Sequence, residues 1–294
     1  MTRFLFVLLL CLAAPQEWAQ ANAPQAAAAC GEVITMPTNR GTTTRYALSP
    51  AFSAAPGTSP QASPVALVML IGGGGYMNLN DTGCPQLLGR NVLVRMRPLL
   101  QQAGVRTALV DAPSDMQSDE GLAGFRISAD HADDVGKIIA DVRTRTQGAV
   151  WLVGHSRGSI SAANVATRLS GPGAPDGVVL LSALMVGDPR ARKAWVAQSV
   201  FSNDLGAIKI PLLLVGHVAD NCTRSPPSQM ERVLAKSAST RGQVAQVSGG
   251  PVAAGRGESL AACEPREPHD FVDQEDLVAA GLVRFLRGGA FSAP

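Results

Sequence analysis

The chain has 294 residues, 46% of them apolar, 16% charged and 4% aromatic, a balance that excludes an intrinsically disordered protein. Its net charge of +2 is spread without a basic cluster, which argues against nucleic acid or an anionic membrane as a partner. No apolar stretch is long enough to span a bilayer comfortably, so stable membrane insertion is not expected once the leader is removed.

The leader is residues 1–21. Arg3 supplies a positive charge, Phe4 to Ala14 is almost wholly apolar, and Ala19-Gln20-Ala21 has the small-x-small form of a cleavage site. In that order these are the parts of a secretory signal peptide, with secretion or a periplasmic destination as the consequence. Leu10, a large residue just before Cys11, argues against a lipoprotein. Residues 22–63 follow as an N-terminal segment. Its stretches 22–29 and 51–64 are rich in Ala, Pro and Ser and read as a flexible terminus and a solvated loop. Between them "EVITM" and "TTTRYAL" flank Asn39-Arg40-Gly41, an edge hairpin.

From residue 64 to 294 apolar runs alternate with amphipathic stretches. The runs are "VALVMLI" (65–71), "VRTALVD" (105–111), "AVWLVG" (149–154), "GVVLLSA" (177–183), "IPLLLVGH" (210–217) and "QVAQVS" (243–248). Continuous apolarity means burial on both faces, as in a parallel sheet. Helices are expected at 128–146, 157–170, 190–201, 228–239 and 273–287. The alternation predicts an α/β chain whose mostly parallel sheet carries helices on both faces, forming one domain with the hairpin.

Gly154-His155-Ser156-Arg157-Gly158 fits G-x-S-x-G between an apolar run and an expected helix. With 30 glycines in the chain the bare pattern arises easily by chance and would then be a structural turn. The strand and helix on either side favour a nucleophile instead, because a hydroxyl projected from so tight a turn leaves no room for side chains at the flanking positions. A serine needs a base, and the base a carboxylate. Of four histidines, His131 falls on the polar side of a helix and reads as a surface residue, and His155 is locked beside the serine. His217 ends a strand, whereas His269 lies on a loop free to turn back, and is preferred. Asp220, after the run at 210–217, is preferred as the acid over Asp188; Asp270 would face away from its neighbour. "LIGGGGYMN" (70–78) lacks the spacing of a phosphate or dinucleotide loop. Its glycines suit an oxyanion hole, with one N–H from Gly73 or Gly74 and the other from Arg157.

These segments together resemble the α/β-hydrolase fold family, over roughly residues 60–290, and within it secreted bacterial hydrolases with "VWLVGHSRG"-, "VDAPSD"- and His-Asp-Phe-like segments. The resemblance implies a serine hydrolase with Ser156, Asp220 and His269 as triad and no metal or organic cofactor. Ile71 stands where the histidine of a lipase HGGG turn would be. The four cysteines that remain after leader cleavage are too far apart for a metal site and read as two disulfides. Cys222 with Cys263 would tie the Asp220 and His269 loops together, and Cys30 with Cys84 would clip the N-terminal segment. Tyr76 and Met77 either line the acyl site or belong to the core. About two dozen residues between the runs at 177–183 and 210–217 leave room for a short flap, not a lid domain. The expectation is a carboxylic-ester hydrolase of small acyl-ester substrates. An amidase or peptidase with the same triad, or a silent binding protein on the fold, are the alternatives.

Overall fold

The computed structural model describes residues 30–51, 64–251 and 257–292. The leader, residues 22–29 and most of the Ala/Pro/Ser-rich loop lie outside the described residues.

Eight strands form one sheet: β1 (Glu32–Pro37), β2 (Thr43–Leu48), β3 (Val65–Leu70), β4 (Val105–Val110), β5 (Ala149–His155), β6 (Gly177–Leu181), β7 (Leu212–His217) and β8 (Gly242–Val247). Their spatial order is β1-β2-β4-β3-β5-β6-β7-β8. The hairpin pairs antiparallel and joins β4 antiparallel, and every pairing from β4 to β8 is parallel. Alternate residues of each central strand feed opposite faces. Val68, Leu152, Leu180 and Leu214 pack with α2 (Ala129–Thr146), α3 (Gly158–Arg168) and α4 (Met230–Lys236). Met69, Val153, Leu181 and Val215 pack with α1 (Val92–Gln102) and α5 (Glu275–Leu286). Side chains buried on both faces are why these strands read as unbroken apolar runs.

Two elements depart from the expected pattern. Helix α1 forms where none was anticipated: Pro98 sits inside it and removes one helical donor, while Asn91 caps it by accepting the Leu93 amide. The helix expected at 190–201 is instead a pair of short 3₁₀ turns, Ala194–Ala197 and Val200–Ser202. Ser199 is the reason. Its backbone is extended and its side chain caps the second turn together with Ser202, so a continuous helix is interrupted there.

Candidate active site

At the carboxyl end of β5 the chain reverses into α3 within three residues. Ser156 sits in the left-handed region at φ 53°, a conformation that non-glycine residues rarely adopt. The two flanking glycines are there because nothing larger fits. A Cβ on Gly154 would lie 2.3 Å from the Gly158 carbonyl oxygen, and one on Gly158 would lie 1.9 Å from the Leu70 oxygen. The turn thus holds the Ser156 hydroxyl above the start of α3, whose amide end favours negative charge. Ser159 fixes the turn further by donating to the Ser156 carbonyl at 2.6 Å and accepting the Leu184 amide at 3.0 Å.

His269, on the loop between β8 and α5, meets the serine. Its Nε2 lies 3.0 Å from Ser156 Oγ and its Nδ1 lies 2.9 Å from Asp220 Oδ2. Asp220 follows β7, is buried with His269, and also accepts the Cys222 amide. With Nδ1–H donating to the carboxylate, the Nε2 lone pair faces the serine hydroxyl, which donates to it. The remaining candidates lie elsewhere. His217 bonds the Gly249 carbonyl, and Asp188, half-exposed, accepts the Arg190 amide. His131 is buried, not at the surface: it packs against Phe125 beneath the turn after Leu122, and burial pushes its imidazole down to about 3.

His155, read from the sequence only as a neighbour of the serine, joins the two loops. Its Nε2–H donates to the His269 carbonyl at 3.1 Å, and its Nδ1 accepts from Asn91 Nδ2 at 2.9 Å. Burial pushes this imidazole down to about 4, against the opposing pull of Asp270, so it is neutral at pH 7. Asp270 faces away from the His269 ring. It accepts the Val92 amide at the start of α1 and pairs with Arg95 at 2.6 Å. That anchorage seats the His269 loop against a helix N-terminus.

The glycine run leaves β3 and passes directly beside the serine. Gly72 is the closest, since a Cβ there would meet Ser156 Cβ at 2.9 Å. Gly73, at φ +59°, lines the cavity, and neither its amide nor that of Arg157 has a hydrogen-bond partner among the described residues. Gly74 does not line the cavity; it lies against Asp119 and Glu120, and its carbonyl accepts the Leu122 amide. Two side chains given no role in the sequence reading brace the run, Arg126 and, from the "VDAPSD" segment, Asp111. Arg126, fully buried, donates to the Gly73 carbonyl at 3.0 Å and to Ser161, and Asp111 accepts the Met77 and Leu79 amides. The second brace corrects the expectation for the acyl site. Asp111 holds the amides of residues 77 and 79, whose side chains lie in the core while Asn78 is exposed, and Tyr76 is not among the residues lining the cavity.

That cavity, of about 420 Å³, opens over Ser156 and is bounded by Gly72, Gly73, Leu88, Leu184, Trp195 and Leu260. Trp195 comes from the short segment over the site, as a flap would. The structure pairs Cys222 with Cys263 and Cys30 with Cys84. Asp220, Cys222 and His269 come close enough to one another to hold an ion, but the sulfur is bonded to Cys263 and the imidazole Nδ1 to Asp220.

No protein-family model and no curated protein matches this chain. Solved structures do. A soluble variant of monoglyceride lipase from Saccharomyces cerevisiae superposes with TM-score 0.58 at 11% identity, over 93% of this chain and 98% of that one. The 2,6-dihydroxy-pseudo-oxynicotine hydrolase gives TM-score 0.55 at 16% identity, over 90% of this chain and 70% of that one. Est1E from Butyrivibrio proteoclasticus gives 0.54 at 13%, over 87% and 98%. The chain has the α/β-hydrolase fold. In an α/β-hydrolase sheet ligands meet the carboxyl ends of the parallel strands, and Gly73, Ser156, Asp220 and His269 all follow such ends here.

Proposed function

We propose that this protein is a secreted serine hydrolase that cleaves carboxylic esters through an acyl-enzyme. One observation carries the reading: an unbroken hydrogen-bonded line from Asp220 through His269 to a serine held at positive φ. In the first step Ser156 Oγ bonds the ester carbonyl carbon as His269 Nε2 takes its proton, and Asp220 stabilises the resulting imidazolium. The carbonyl oxygen becomes an oxyanion, received by the amides of Gly73 and Arg157. As the tetrahedral species collapses, the alkoxide leaves with the proton from His269. Water then repeats the sequence on the acyl-serine, releasing the acid. Two of the superposed proteins, named as a lipase and a hydrolase, support hydrolysis as the class of reaction. Export is supported by the leader pattern and the two disulfides.

The test is a fluorophosphonate probe together with matched ester and anilide panels. Wild type should label and hydrolyse the esters faster, and Ser156→Ala should do neither while keeping its circular dichroism. An unlabelled wild type beside a labelled control hydrolase would remove the proposal.

A further inference from the structure

The walls of the cavity carry an excess of positive charge that the protein itself offsets only in part. Arg90, Arg126, Arg157 and Arg224 line it, against only two carboxylates, Glu264 and Asp270. Asp270 is already committed to Arg95. Among the described residues Arg126, Arg157 and Arg224 form no salt bridge, although all three are buried or half-buried. Removing a guanidinium from water without an acidic partner is costly, so such groups are expected to meet an anion.

Two of them are set for that purpose. Arg157 stacks over the Trp195 ring at 4.0 Å, which fixes the plane of its guanidinium; Nη1 makes a long contact of 3.5 Å to the Gly73 carbonyl, and Nε and Nη2 have no partner among the described residues. Arg224 spends Nε and Nη2 on the carbonyls of Val186 and Val196, and its Nη1 has no partner among the described residues. The two charges feel each other: burial, then the nearby Arg224, pushes the Arg157 guanidinium down. The nearest carboxylates, Glu120 toward Arg157 and Asp188 toward Arg224, act on the two guanidinium groups only through space, without an ion pair among the described residues. Each has other partners. Glu120 binds Lys193 and the Trp195 indole, and Asp188 accepts the Arg190 amide. Behind them Arg126, which burial lowers only to about 9, stays charged at pH 7 and adds to the field.

We propose that the ester this site takes carries a carboxylate, gripped by Arg157 and Arg224 while its scissile carbonyl meets Ser156. This rests on the hydrolase reading above. A planar carboxylate matches the forked donors of a guanidinium, and Leu88, Leu184 and Leu260 leave an apolar wall for the carbon chain between carboxylate and ester.

The test compares kcat/KM within two matched pairs. On the acyl side, 4-nitrophenyl hexanoate is set against mono-4-nitrophenyl adipate, in which a carboxylate replaces the terminal methyl. On the alcohol side, 4-carbamoylphenyl hexanoate is set against 4-carboxyphenyl hexanoate. The anionic member of one pair should be favoured by at least about tenfold, as one charge-assisted contact would give. That ratio should fall toward one in Arg157→Gln and Arg224→Gln, and in wild type as sodium chloride is raised. The salt series needs no variant, so a misfolded Arg224→Gln would not rescue the idea. Turnover of the neutral esters with no anionic preference in either pair overturns the proposal and leaves the hydrolase reading standing. No turnover of any ester, with no fluorophosphonate labelling, overturns both.

Discussion

Asp220 and Asp188 each follow a central parallel strand, and residue type alone does not separate them. Their surroundings do: Asp220 is buried against His269 Nδ1 at 2.9 Å, whereas Asp188 is half-exposed and occupied with the Arg190 amide. A carboxylate in the first position fixes which imidazole nitrogen carries the proton, and a carboxamide there favours the wrong tautomer. Asp220→Asn should therefore lower kcat on a 4-nitrophenyl ester by about 10⁴-fold, the scale found when a triad carboxylate is neutralised. Asp188→Asn should change it by less than about threefold on a neutral ester, as expected of a half-exposed carboxylate that makes no hydrogen bond to His269. If the two results were exchanged, the acid role would move to Asp188.

The strand–turn–helix of β5 and α3 works as one element, because its glycines are sites of contact and not only of flexibility. Gly158→Ala would drive a Cβ into the Leu70 carbonyl of the adjacent strand, so either β3 or α3 must move. A loss of at least about 3 kcal/mol is expected, the upper range for overpacking a rigid site. Gly171 is the control: its φ is +72° with nothing within 4 Å, so alanine there meets only backbone strain and should cost about 1 kcal/mol. Urea midpoints of the two variants make the comparison; equal losses would show that the turn has slack. At this scale the sequence is most readable where burial is two-sided. The central parallel strands show as apolar runs, and the motif glycines mark the turn. Strand β8, expected to be buried on both faces, is instead the edge strand of the sheet, and only Val247 in it is buried. Helix α1 is hidden by Pro98, which nevertheless sits inside it, and the flap is misread as a helix because Ser199 recaps the chain midway.

Across the whole molecule, legibility falls with the sequence separation of the contact. Ser156, Asp220 and His269 can be proposed as a group because a parallel sheet brings strand ends to one rim. Nothing local announces that Arg126 would reach back to Gly73, that Asp111 would pull Met77 into the core, or that His155 would hold the His269 carbonyl. The disulfides act at the same range. Loops of 54 and 41 residues give nearly equal entropic terms, about 4 kcal/mol each, yet of the two pairs only Cys222 and Cys263 line the cavity. Replacing either pair with serine should lower thermal stability similarly, while kcat falls mainly in the Cys222/Cys263 variant. Equal kcat in both would mean that the backbone pairing of Asn221 and Thr223 with Ser259 already holds the loops. Acid stability is also a property of the whole chain, and here its sign follows from His131 and His155. Burial pushes them down to about 3 and about 4 from 6.5, so between pH 6.5 and 4 each is neutral when folded and protonated when unfolded. Unfolding near pH 5 should thus take up about two protons, each costing about 1.4 kcal/mol of stability per pH unit as the pH falls. The contribution is complete above pH 6.5 and is lost on acidification, before most carboxylates titrate. Urea midpoints at pH 7, 6 and 5 should decline steadily, and His131→Leu should shed about half of the slope, as removal of one of two such protons requires. A midpoint flat from pH 7 to 5 would show that one or both rings find water or a partner that lets them charge in the folded state.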